Sequence, residues 1–442
     1  MTALTLFRRP LAALAIATTS LFLALPAQAE VVFQDVTSPG GIEAWLVEDY
    51  AVPIVTIRFA FDGGSTQDPI GKEGLANLLT TLFDEGAGDL DSEAFQIALD
   101  DAGAEMGFVA DTDAIYGSMR MLAEHRDAAL GLLKLAIEAP RFDQNPIDRM
   151  RAQLVTGIIA AARDPGTAAQ QQWTTALYGD HPYARRSEGT PETLASLTAD
   201  DLRQAHKTMF ARDNLHVGIA GAINAEDAAA LLDTLFGNLP ASPELTPIAD
   251  VEPRLGQDLK VDYKLPQTSI FMAYPGLKRS DPDYFAAYLM THILGGDTFG
   301  SRLTREVREK RGLTYGISAN LSNQVHSQAL VIATSTRADR AAETLEVIKQ
   351  VVADMAANGP TPEELAAAKQ YLIGSYPINE LTSSSSIANT LVSLQVWDLG
   401  LDYVARRGEM IDAVTIADVK EMAQRLLTAQ PAILQMGPPP AP

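Results

Sequence analysis

The sequence of 442 residues contains no cysteine. That absence excludes disulfides and thiolate chemistry of any kind, so stability must come from burial, which a chain of this length supplies as two or more domains. Basic residues are scarce as well: 34 Lys and Arg face 56 Asp and Glu, a formal net charge of −22. Such a surface repels phosphate backbones, and no basic stripe with interleaved aromatics overrides it, which argues against a nucleic-acid partner. Only six histidines occur, His125, His181, His206, His216, His292 and His326, and no two are spaced to share one helical face. Each reads as a surface or structurally satisfied imidazole. No Gly-rich phosphate loop follows a strand-like run, and beyond the first thirty residues no apolar stretch is long enough to span a bilayer.

What is present begins with a leader. Arg8 and Arg9 precede the apolar run LAALAIATTSLFLALP, and Ala27-Gln28-Ala29 follows as a small-x-small cleavage site before Glu30. Residues 1–29 therefore read as a secretory signal peptide, with the periplasm as the expected address and no stable membrane insertion. The interruption of the run at Thr18, Thr19 and Ser20 and its end at Pro26 weigh against an uncleaved anchor. Removing the leader takes away two positive charges and makes the chain still more acidic, which fits solubility better than any acidic binding role.

After the leader the chain repeats itself. PIVTIRFAFDGG, from Pro53, matches PQTSIFMAYPGL, from Pro266; each alternates as a strand and leads into an apolar helical stretch, GLANLLTTLFDEGA in one half and YFAAYLMTHILGG in the other. Further on, Thr198 and Thr415 stand as N-caps ahead of two amphipathic helices. Pro53 and Pro266 lie 213 residues apart, and Thr198 and Thr415 lie 217 apart, so the offsets agree within a short insertion. Residues 241–258, with three prolines and scattered acids, show neither period and read as a linker between lobes of residues 30–240 and 259–438. Strands and helices are mixed rather than strictly alternating, which predicts an α+β fold: two homologous lobes, each a mostly antiparallel sheet packed with helices.

Two segments make the pattern specific: GKEGLANLLTTLFDEGAG after a strand of the first half, and FGSRLTREVREKRGLTYGIS in the second. With the leader and the duplication, they resemble the pitrilysin/insulinase peptidases, including the mitochondrial-processing-peptidase type, over essentially the whole chain after the leader. The resemblance implies that the first helix should carry an inverted His-x-x-Glu-His, two imidazoles one helical turn apart that share a zinc ion and a glutamate that activates water. Those slots hold Asn77, Leu78, Leu79, Thr80 and Thr81. The third ligand, a glutamate of a downstream helix, falls at Thr156 or Gly157, within a helical stretch running from Arg149 at the earliest to Asp164. Neutral Asn and Thr oxygens are poor zinc donors, so these are degenerate zinc-site positions and no metal is expected in this chain. The helix itself is retained: Leu75, Leu78, Leu79, Leu82 and Phe83 form an apolar stripe, opposite a polar one of Asn77, Thr80, Thr81 and Asp84.

In the second half the resemblance implies an Arg and a Tyr, seven residues apart, that hold the substrate carbonyl and stabilise its oxyanion; here they are Arg308 and Tyr315 in REKRGLTY. Both donate hydrogen bonds without losing a proton. Read locally, the same residues make a salt-bridged helix end, Arg308 beside Glu306 or Glu309, and the opening of a strand. Gly295, Gly296 and Gly300 nearby serve either close chain approach or a plain loop. The four serines at 383–386 read as a helix lead-in, not as a nucleophile, because no base accompanies them. Asp111 and Asp113 read as solvated acids. The expected function is that of a non-catalytic subunit of an exported heterodimeric zinc metallopeptidase, inactive alone, with zinc in a homologous partner and a peptide or unfolded protein as substrate. The alternative is a non-enzymatic peptide-binding scaffold.

Overall fold

In the computed structural model, residues 31–263, 266–296 and 300–438 are described here. The leader lies outside them. The strand expected from Pro53 runs Ile54–Asp62, and its counterpart from Pro266 runs Gln267–Pro275. Each lies third from one edge of its own sheet, counted from Glu105–Ala110 in the first and from Thr314–Gln324 in the second. The first sheet has the order Gln34–Thr37, Glu43–Glu48, Leu215–Gly221, Ile54–Asp62, Ala114–Leu122, Glu105–Ala110. The second has the order Thr314–Gln324, Ser327–Arg337, Gln267–Pro275, Ala432–Gly437, Asp258–Asp262. Read from opposite ends the two share one five-strand pattern, to which Gln34–Thr37 adds a sixth strand in the first sheet, antiparallel throughout except for a parallel pair in each, Glu43–Glu48 with Leu215–Gly221 and Asp258–Asp262 with Ala432–Gly437. The duplication in sequence is thus a duplication of topology. Asp258, the last residue of the expected linker, already begins a strand; the rest of 241–258 has no helix or strand.

Helices cover each sheet with the stripes that the periodicity gives them. Thr198 and Thr415 cap Ala199–Met209 and Ile416–Leu427, and in both an Asp three residues on, Asp201 and Asp418, completes a capping box. The helix expected over GLANLLTTLFDEGA is shorter than its stripe: Leu75–Thr80 is helical and the chain then turns. Leu75, Leu78, Leu79, Leu82 and Phe83 are all buried, with Phe83 stacked on Phe108.

The halves also exchange helices. Pro165–Tyr178, from the first half, packs Ala169, Trp173 and Leu177 against Ala432, Leu434 and Met436 of the second sheet. Ser384–Val396, from the second half, lies across Leu215–Gly221 and Ile54–Asp62 of the first. The fit is close enough that a Cβ on Gly218 would stand 2.6 Å from the carbonyl oxygen of Ala388. Gln395 reaches the strand itself: its amide accepts from Val217 N–H at 3.2 Å and donates to Val217 O at 2.8 Å, standing in for a neighbouring strand. The serine run is the start of this helix, with Ser383 as N-cap and Ser384 Oγ 2.9 Å from Thr56 Oγ1.

Candidate functional site

The two segments that carry the family pattern meet different fates. Around Leu75–Thr80, Asp68 caps the helix by accepting from Gly74 N–H at 2.8 Å and Ala76 N–H at 2.9 Å. Burial pushes its carboxyl up to about 7 even against those donors and Arg185. The hydroxyls at the degenerate positions turn back onto their own backbone: Thr80 Oγ1 donates to Asn77 O at 2.9 Å and Thr81 Oγ1 to Leu78 O at 2.8 Å. Thr80 is 5% exposed, so it belongs to the buried side and not to the open polar stripe that the periodicity predicts. The helix Ala199–Met209 and the strand Glu105–Ala110 both pack on Leu75–Thr80.

The third-ligand position lies in the helix Gln144–Ala161, which starts before the expected Arg149 and ends before Asp164. There Thr156 Oγ1 donates to Ala152 O at 2.7 Å and Gly157 is exposed. Glu85, buried just past the first helix, is held by Arg149 and by Ser92 Oγ at 2.6 Å. Among the described residues no three His, Asp or Glu side chains are grouped so as to hold a metal ion. The donor set at 77, 80 and 81 does not fit zinc, which takes imidazole, thiolate or carboxylate ligands.

The histidines are accounted for one by one. His206 is pinned to Ile137 O at 2.7 Å, and burial lowers its pKa. His216 meets Asp62 at 3.1 Å, His326 meets Asp250 at 3.1 Å, His181 meets Ala249 O at 2.9 Å, and His125 lies 3.8 Å from Glu124. His292 stacks on Tyr371 with ring centres 5.1 Å apart.

In the second lobe Arg308 and Tyr315 do come together. Arg308 lies in a π-type turn, Thr304–Glu309, a helix geometry that recurs at functional sites. Tyr315 is the second residue of the strand Thr314–Gln324. Both line one open cleft of about 330 Å³ with Gly295, Gly296, Thr304 and Asn320. Glu306, one of the two acids beside Arg308, binds Lys310 at 2.6 Å and Arg311 at 2.7 Å. Tyr315 is 91% exposed, unusual for an aromatic, while Arg308 is half-buried. Gly295 serves close approach: a Cβ there would lie 2.7 Å from both Ala319 Cβ and Ala319 N. Gly300 lines a neighbouring cleft beside His292, and residues 297–299 between them lie outside the described chain.

Asp113 corrects the reading of Asp111 and Asp113 as a solvated pair. Its Oδ2 accepts from Tyr183 OH at 2.7 Å and from Val325 N–H at 3.1 Å, while Tyr183 OH accepts from His326 N–H at 2.9 Å. Burial raises the pKa values of Asp113 and Tyr183 alike. This junction ties the turn after Glu105–Ala110 to the hairpin tip of the second sheet. No local pattern announces it, because its partners lie 70 and 212 residues away.

Comparison with known proteins identifies the family. Residues 45–190 match the family model described as insulinase, peptidase family M16, and residues 196–372 match the one described as peptidase M16 inactive domain. The crystal structure of a peptidase M16 inactive domain from Pseudomonas fluorescens is 30% identical to this chain, with a TM-score of 0.86 over 93% of this chain and 99% of that one. A non-peptidase homolog from Helicobacter pylori, YmxG, is 26% identical over 78% of this chain and 79% of its own length. A protease structure from Helicobacter pylori shares the fold at a TM-score of 0.82 with 16% identity, covering 92% of this chain and all of that one. With both family models matched in order and the zinc-binding residues replaced, the chain belongs to the insulinase family of peptidases, M16, as an inactive member.

Proposed function

We propose that this chain is the non-catalytic subunit of an exported, heterodimeric zinc metallopeptidase, which binds the peptide substrate and completes the active site of a homologous partner. The observation that carries the reading is the contrast between the two segments: at the zinc site Thr80 and Thr81 bond back onto their own helix, while Arg308 and Tyr315 share an open cleft. In the partner, zinc would supply the nucleophilic water. This chain's part is electrostatic: the Arg308 guanidinium and the Tyr315 phenol donate to the carbonyl oxygen of the bond being cleaved, most strongly as it becomes an oxyanion. An extended peptide has edges to join, since Glu105–Ala110 and Thr314–Gln324 each end a sheet. Residues 30–240 and 259–438 act as the two lobes, joined by 241–258. Export rests on the leader, and among the described residues no helix is long and apolar enough to cross a membrane.

The test is hydrolysis of an internally quenched peptide by the native chain, by a zinc-bearing homologue recovered by co-purification with it, and by the two together. Activity is expected only from the pair. Arg308→Ala and Tyr315→Phe should each lower kcat by about 100-fold, the scale of losing one oxyanion donor. Unchanged turnover in both variants would remove the catalytic role. Peptide binding with no partner-dependent hydrolysis would favour a non-enzymatic peptide-binding scaffold instead.

A further inference from the structure

Tyr315 presents a physical problem. A side chain 91% exposed has few contacts to fix its direction, yet a donor to a developing oxyanion works only if it is held in place before the reaction. The direction must come from the backbone, and the backbone here is irregular. Thr314 pairs with Thr336 and Ile317 with Thr334, so Tyr315 and Gly316 together oppose Ser335. That is a β-bulge, with one extra residue on the outer strand. It resets the alternation, so that Thr314 and Ile317 both face inward while Tyr315 projects outward.

The bulge removes ladder hydrogen bonds, and threonine hydroxyls replace them. Gly316 N–H donates to Thr314 Oγ1 at 3.1 Å, and Thr334 Oγ1 donates to Gly316 O at 2.8 Å. Thr314 Oγ1 lies 2.8 Å from both Ser335 O and Gly316 O and 2.9 Å from Thr334 Oγ1, and giving its proton to Ser335 leaves Gly316 O to Thr334. This assignment gives each hydroxyl one donated bond and satisfies both backbone groups of Gly316. One residue earlier in the chain, Thr336 Oγ1 donates to Leu313 O at 2.6 Å and meets Thr344 Oγ1 at 3.0 Å. All four threonines are buried. The backbone is therefore anchored at residues 313, 314 and 316, on both sides of Tyr315.

We infer that Thr314 and Thr334 are positioning residues that aim Tyr315 into the cleft it shares with Arg308, by clamping the bulge through the two backbone groups of Gly316. The inference rests on the proposed role of Tyr315, and its tests separate the two. Thr314→Val and Thr334→Val keep the β-branched shape and remove the hydroxyl. In the chain alone, Thr314→Val should raise amide hydrogen exchange at Gly316 at least tenfold, a readout that needs neither partner nor substrate. In the assembled peptidase, either variant should lower kcat about tenfold with KM within twofold. Thr314→Ser should restore it, and Thr314→Val should add little to the loss already caused by Tyr315→Phe. Unaltered Gly316 exchange, or a valine effect that multiplies fully with Tyr315→Phe, would overturn the clamp. If Tyr315→Phe impairs turnover and both valine variants do not, the clamp falls and the role of Tyr315 stands. If Tyr315→Phe is itself harmless, both fall. Should Thr314→Val fail to fold, Thr334→Val carries the same comparison.

Discussion

Gly295 sits where the turn after the second-half helix crosses the edge strand, with no room for a Cβ beside Ala319. Gly295→Ala should therefore cost on the order of 1–3 kcal/mol, the range for overpacking a close-packed site, read as a lower urea midpoint at unchanged slope. An alanine variant as stable as the parent would show that the contact relaxes freely. The same residue marks a boundary of sequence reading. ILGGDTFGS offers either a loop or a close approach, and only the position of Ala319, on another element, decides between them. Thr80 is similar: its spacing puts it on the polar side of a helix, but a helical pattern carries no information about what packs over that side. Arg308 and Tyr315 were singled out by the family motif, which has an Arg and a Tyr seven residues apart, and the fold brings both to one cleft. The threonines behind Tyr315 were not, since isolated Thr residues in a strand are ordinary.

The π-type turn that carries Arg308 is moored through Arg302. This guanidinium is buried and binds Glu364 at 2.6 Å, Asp354 at 3.0 Å and Gly359 O at 2.8 Å, and Arg305 meets Glu364 at 3.1 Å. Glu364 also closes the capping box of the helix Pro362–Glu380. Burial by itself would raise the Glu364 pKa, but hydrogen bonds from Arg302 and Thr361 N–H and the charge of Arg302 bring it down to about 2. Its folded-state value is thus below its unfolded one, so its stabilisation is fully present above about pH 4.5 and is lost as the pH falls toward 2. Solvent screening at this partly buried carboxylate discounts the full linkage value to on the order of 1–2 kcal/mol. Urea midpoints of the parent should drop across that window, and Glu364→Gln, less stable at neutral pH, should drop less. Parallel pH profiles for the two proteins would rule the acid step out. Sequence pattern placed the helix and its Thr361 start; the charge network needed a fold that brings residues 302, 354 and 364 together.

At the scale of the molecule, the exchanged helices make each sheet depend on both halves of the chain. Trp173 belongs to the first half in sequence and to the second sheet in space, where it is 3% exposed. Trp173→Ala should cost roughly 3–5 kcal/mol and should speed hydrogen exchange in the strand Ala432–Gly437. Calorimetry of the parent should show one transition, because neither half keeps its core covered without the other. Two resolved transitions, or exchange changes confined to residues before 240, would contradict that coupling. The sequence alone determined the duplication, the α+β class, the loss of the zinc ligands and the spacing of Arg308 and Tyr315. Each of these is a matter of which residue stands where along the chain: periodicity reads the first two directly, and the resemblance to the family's motifs, position by position, supplies the last two. Only the tertiary structure decided the helix exchange, the Asp113–Tyr183 junction, the burial of Thr80 and the bulge behind Tyr315. These depend on which surfaces meet across long separations in the chain, and packing and desolvation act on those contacts rather than on local order.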